Sequence, residues 1–121
     1  ETTYPPGLEI SVYHSSVLAI TEKVTKKDDL LREHVGYNIT RLPEKFKLKS
    51  LRAPEYFNKP NTYLEVDTIE DIKVIQYIIE YFINKKQEHF GLIEILDMLK
   101  NNKDLIKSNQ HVKRRWKKYR L

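Results

Sequence analysis

The chain has 121 residues, 40% of them hydrophobic and 32% charged, with a net charge of +5, which is about one domain's worth of ordinary globular sequence. It contains no cysteine and no run of about 18 apolar residues, excluding a disulfide framework, thiolate metal ligation, a cysteine nucleophile and a membrane-spanning helix. Lys113, Arg114, Arg115, Lys117, Lys118 and Arg120 fall in the last ten residues and take the +5 of the whole to −1 for the remainder, so the basicity belongs to a tail.

Glu1 to Gly7 reads as a loop, because Pro5-Pro6-Gly7 is rigid and short of amide donors. Neither an initiator Met nor a signal peptide stands at the start, so a processed chain or an excised part of a longer, cytoplasmic protein is expected. Leu8 to Tyr13 alternates Leu8, Ile10 and Val12 against Glu9, Ser11 and Tyr13, which predicts a half-buried strand. Ser15 or Ser16 caps a predicted helix through about Val24, and a short helix follows from Asp28 or Asp29 to about Glu33. Residues 34–40 read as extended, Leu42-Pro43-Glu44 as a turn, and Phe46, Leu48 and Leu51 alternate as a further strand. Arg52 to Asn61, with Pro54 and Pro60, reads as a connecting loop.

The central stretch runs from Thr62 to Phe82. Tyr63, Leu64 and Val66 favour a strand, and from Ile72 the apolar residues take helical spacing at Ile72, Ile75, Ile78, Ile79, Phe82 and Ile83. The period changes at Asp67-Thr68, where the Thr68 hydroxyl is placed to accept from the amide of Asp71 and Glu70 and Asp71 put negative charge in the first turn. A helix from His89 to Asn101, a helical turn at 103–107 and a basic segment, helical from about Asn109, complete the pattern. The expected division is a body over 1–110 and a basic segment over 111–121.

Glu65 and Asp67, two apart in an extended segment, project to one side at the carboxyl end of the predicted strand, where hard oxygen donors suit Mg²⁺ carrying substrate phosphates. The plainer reading makes Asp67 part of the helix cap and Glu65 an exposed strand residue. Arg32, Glu33, His34 and Tyr37 offer a cation, an acid, an imidazole and a phenol suited to a carboxylate or anionic sugar, or else an ordinary ion pair beside a packed His. The tail interleaves its cations with Trp116 and Tyr119, a composition that could bind nucleic acid or simply dock as a solvated helix. With three glycines there is no GxGxxG or GxxxxGK[ST] loop, and no nucleophile elbow is present.

Taken in order, Tyr4-Pro-Pro-Gly-Leu-Glu-Ile-Ser-Val-Tyr13, Arg32-Glu-His-Val-Gly-Tyr37, Pro43-Glu-Lys-Phe-Lys-Leu48, Leu64-Glu-Val-Asp-Thr-Ile-Glu-Asp-Ile72 and Ile106-Lys-Ser-Asn-Gln-His-Val-Lys113 resemble the cytidylyltransferases of nucleotide-sugar synthesis. The branch is that of the spore coat polysaccharide biosynthesis proteins, related to the acylneuraminate cytidylyltransferases. Ile69 stands where the family has Pro, Gly36 where it has Thr-Pro, and Pro6 where it has Arg.

The resemblance covers nearly the whole chain but only the second half of such an enzyme, whose first half carries the glycine- and arginine-rich nucleotide loop. It implies an α/β fold, the C-terminal part of a mixed, doubly wound, glycosyltransferase-A-like sheet with flanking helices. It implies Mg²⁺ as cofactor, with Asp67 as ligand and catalytic residue and Glu65 beside it. CTP and a sugar or sugar-acid acceptor are the implied substrates, the acceptor lying near Arg32, Glu33, His34 and Tyr37. A homodimer is implied, with no membrane partner and no nucleic acid. The alternative is a non-enzymatic dimerisation or interaction module, or a nucleic-acid binder using the basic tail.

Overall fold

The computed structural model describes residues 3–119, for Lys118 and Tyr119 the backbone only. Its α-helices are α1 (Ser15–Val24), α2 (Tyr37–Thr40), α3 (Ile69–Asn84), α4 (Leu92–Lys100) and α5 (Lys103–Ser108), with 3-10 turns at Leu30–Glu33, Glu55–Phe57 and Arg115–Tyr119. No strand occurs among the described residues, which overturns the expected α/β fold and its mixed, doubly wound sheet. No helix among them is long and apolar enough to cross a membrane.

The missing ladder has a local cause at the central stretch. Leu64 donates its amide to the Pro6 carbonyl at 2.8 Å, but Pro6 has no N–H to return. The neighbouring donors are spent elsewhere: Leu8 N–H goes to Pro5 O, and Gly7 N–H to the Glu9 carboxylate at 2.8 Å. Further along, Ile10 and Val12 are 87% and 92% exposed, so their alternation has no apolar surface to meet. Residues 46–51 adopt no regular element, with Phe46 half-buried and Leu48 and Leu51 exposed, and residues 37–40 form a helical turn entered through Gly36 at φ 92°.

The chain divides into two compact units: residues up to Glu9 with Arg52–Lys113, and Ile10–Leu51 with the residues from Arg114 onward. In the first, α3 buries Val74, Ile78 and Phe82 against Leu64 and against Met98 and Leu99 of α4. Phe90 stacks on Phe82 with ring centroids 4.2 Å apart. The Gly91 amide donates to the Glu94 carboxylate at 2.9 Å, so α4 begins three residues later than the sequence pattern suggests. The loop ahead of the central stretch is tied to α4: Tyr56 Oη donates to Asp97 at 2.7 Å, and Lys100 reaches Asp97 at 2.6 Å.

In the second unit Thr21, Leu31, Ile39 and Arg114 are the buried residues among those described, a smaller interior. Here α1 is capped by His14, whose Nδ1 accepts from the Ser16 amide, rather than by Ser15 or Ser16. Asp29 caps the Leu30–Glu33 turn by accepting from Leu31 N–H at 2.8 Å.

Candidate functional site

Asp67 stands where the extended segment enters α3, and the local sequence explains its placement. Thr68 is the N-cap: its hydroxyl accepts from the Asp71 amide at 3.4 Å, and Asp71 Oδ2 accepts from the Thr68 amide at 3.0 Å, a reciprocal capping box. The same Oδ2 also accepts from the Thr68 hydroxyl at 3.0 Å and from the Asp67 amide at 3.2 Å. Asp67 is therefore held by its backbone while its side chain is exposed, with nothing bonded to its carboxylate among the described residues. Beside it, hydrogen bonds from its own amide and then from Thr68 lower the pKa of Glu70, with smaller help from the charges of His111 and Lys73.

Asp71 is fully buried, and its second oxygen needs a donor. Asn109 supplies it, donating from Nδ2 to Asp71 Oδ1 at 2.8 Å and to the Tyr63 carbonyl at 3.1 Å. Gln110 adds a bond to Asn61 O at 3.0 Å, so the stretch before Asp67 is pinned from the C-terminal part of the unit. Glu65 is half-buried and engages groups within the fold, and its backbone lies against Gly7.

Mg²⁺ is commonly held by one or two carboxylates together with water and substrate phosphates. No group of three or more His, Asp or Glu side chains that could hold a metal converges among the described residues, so they form no all-protein cage. The exposed oxygens of Asp67 fit a shared site of the first kind.

Arg32, Glu33, His34 and Tyr37 belong to the second unit. Arg32 makes a bidentate pair with Glu22 at 2.8 and 3.1 Å and donates to the carbonyls of Lys26 and Thr25, closing the C-terminal end of α1. Its hydrogen bond to Glu22, reinforced by its charge, lowers the Glu22 pKa. His34 and Tyr37 are brought together, ring centroids 4.9 Å apart and tilted by 50°, while Glu33 is exposed.

Within the basic segment Arg114 is buried and Lys117 lies over the Trp116 ring at 5.8 Å. In place of a continuous helix from Asn109 the segment forms a turn and then the short 3-10 element. The Lys118 and Tyr119 side chains, Arg120 and Leu121 lie outside the described residues, as do Glu1 and Thr2.

Two residues of the site escape sequence reasoning in different degrees. The Thr-x-x-Asp spacing exposes the capping bond of Asp71, but nothing local announces that the carboxylate is buried. Asn109 lies in the 106–113 stretch of the resemblance, but no local pattern names its partners, which are 38 and 46 residues away.

The chain is similar to two curated proteins. It shares 34% identity over 121 residues with an uncharacterized protein of Methanocaldococcus jannaschii, covering 94% of this chain and 44% of that protein. It shares 27% identity over 100 residues with the spore coat polysaccharide biosynthesis protein SpsF of Bacillus subtilis, covering 83% of this chain and 41% of that protein. The chain thus spans less than half the length of either relative. No protein-family model and no solved structure matches it. What these comparisons give is a distant likeness to a polysaccharide biosynthesis protein.

Proposed function

We propose that this chain is the metal-ligand and acceptor-side portion of a CTP-dependent cytidylyltransferase that makes an activated sugar for surface polysaccharide. The observation that carries the reading is the Asp67 carboxylate, exposed at the entry to α3 while its own amide is fixed on Asp71. The order of the flanking motifs and the distant likeness to a polysaccharide biosynthesis protein support it.

In this reaction an acceptor hydroxyl gives up its proton to solvent and its oxygen bonds to the α-phosphorus of CTP. The bond from that phosphorus to the bridging oxygen breaks, and pyrophosphate leaves with the electron pair. Mg²⁺, when bound, neutralises phosphate charge. Asp67 would contribute a carboxylate ligand presented from a backbone held on Asp71. On the acceptor side, His34 and Tyr37 offer polar ring groups to a sugar acid. Arg32, committed to Glu22, fixes the turn that carries Glu33 and His34. The remaining substrate contacts belong to parts of the protein beyond this chain, and the active assembly is a homodimer in the cytoplasm.

Pyrophosphate release from CTP with sugar-acid acceptors tests the proposal. The full-length protein is expected to turn over in Mg²⁺, the 121 residues alone to be inactive, and Asp67→Ala to lower kcat/KM of the full-length protein by about a hundredfold or more, as for loss of a ligand that acts on developing charge. An Asp67→Ala enzyme as active as the parent sinks it.

A further inference from the structure

Asn109 is 1% exposed, and its Nδ2 donates to both Asp71 Oδ1 and Tyr63 O. Two acceptors face it, so the amide orientation is dictated by its partners. We propose that Asn109 is a positioning residue for Asp67: acting through Asp71, it fixes the backbone from which the Asp67 carboxylate is presented. The inference rests on the reading of Asp67 as a metal ligand.

The physical reason lies in how Asp71 divides its two oxygens. A carboxylate that only capped α3 would need Oδ2 alone, and Oδ2 already serves the amides of Asp67 and Thr68 and the Thr68 hydroxyl. Oδ1 is buried with it, and Asn109 is its donor. Without that donor Oδ1 loses a buried hydrogen bond, and turning the carboxylate to compensate withdraws Oδ2 from the two amides. The Tyr63 carbonyl loses the same donor at the same moment. One side chain thus holds the stretch from Tyr63 to Thr68 both directly and through Asp71. Partners one shell beyond a metal ligand set its orientation, and their loss typically weakens metal binding about 10–100-fold.

The test uses the full-length protein with Mn²⁺ alone as probe, its affinity read by electron paramagnetic resonance, alongside amide hydrogen exchange. Asn109→Asp keeps the shape but turns an acceptor toward two acceptors, and Asn109→Ala removes the group. Both are expected to speed exchange at Asp67 and Thr68 by at least tenfold relative to Ile78, and to weaken Mn²⁺ binding by about tenfold. Leu99→Ala, a packing change in α4, is the control for general destabilisation and is expected to leave the Mn²⁺ affinity of the folded protein unchanged. The proposal is overturned if the exchange of Asp67 and Thr68 relative to Ile78 is the same in the variants as in the parent. It is equally overturned if Asn109→Asp binds Mn²⁺ as tightly as the parent while Asp67→Ala does not. If Asp67→Ala itself leaves the affinity at the parental level, the metal reading fails instead, and the exchange ratio alone decides whether Asn109 holds the segment.

Discussion

Gly7 sits at φ 101°, against the peptide joining Leu64 to Glu65. A Cβ there would lie 2.6 Å from both Glu65 N and Leu64 C, and neither backbone atom can move without disturbing the stretch that leads to Asp67. Gly7→Ala therefore combines a disfavoured backbone conformation, on the order of 1–3 kcal/mol, with a steric clash. It is expected to lower thermal stability by at least that amount, whereas Gly91→Ala, at φ −120°, meets only the Glu94 carboxylate at 3.4 Å and is expected to cost less. Melting curves of the two variants make the comparison, and equal losses contradict it. At this scale the sequence is legible where a partner is near in the chain. The Thr68 hydroxyl does accept from the Asp71 amide, as the spacing suggests, because both groups belong to one helical turn. Asp71's link to Asn109 depends on how distant segments meet, and no local pattern encodes it.

Helix α3 shows what periodicity can and cannot decide. Apolar residues recur at helical spacing from Ile72 to Ile83, and the helix forms from Ile69 to Asn84. The spacing alone does not choose a face, since the set is broad enough to supply two. Val74, Ile78 and Phe82 are buried, while Ile72, Ile79 and Ile83 are 46%, 44% and 61% exposed. Neighbouring residues of like hydrophobicity should then differ sharply in cost. Phe82→Ala removes a ring stacked on Phe90 and is expected to destabilise by about 3–5 kcal/mol, whereas Ile83→Ala should stay within about 1 kcal/mol. Chemical denaturation measures both, and comparable losses would show that Ile83 is covered. The expected strands failed for a different reason. Alternation describes only the side chains, whereas a strand also needs a neighbour with free backbone groups, and beside Leu64 the neighbour is Pro6.

At the scale of the whole chain, the two units differ in how much apolar surface they withdraw from water. Among the described residues the second buries the hydrophobic Leu31 and Ile39, while the first buries Leu64, Val74, Ile78, Phe82, Met98 and Leu99 around α3 and α4. Local opening follows such differences, so α1 amides are expected to show lower protection factors than α3 amides at neutral pH. Acid should widen the gap. Glu22 titrates below its ordinary value because Arg32 hydrogen-bonds and attracts its charged form. A carboxyl depressed in the folded state contributes its stability above the unfolded pKa, about 4.3 for Glu, and loses it as pH falls through the folded value. The bonds from Arg32 to the carbonyls of Lys26 and Thr25 survive that titration, so the clamp on α1 is weakened rather than abolished. Asp97 is depressed likewise, by Lys100 and then Tyr56, but the helix that carries it is also held by buried Met98 and Leu99, contacts no proton removes. Protection of α1 should thus fall more than that of α4 between pH 7 and pH 3, and Glu22→Gln should remove most of the excess fall. Identical pH dependence in α1 and α4, or an unchanged response in Glu22→Gln, would mean that the Arg32 pair does not govern the second unit.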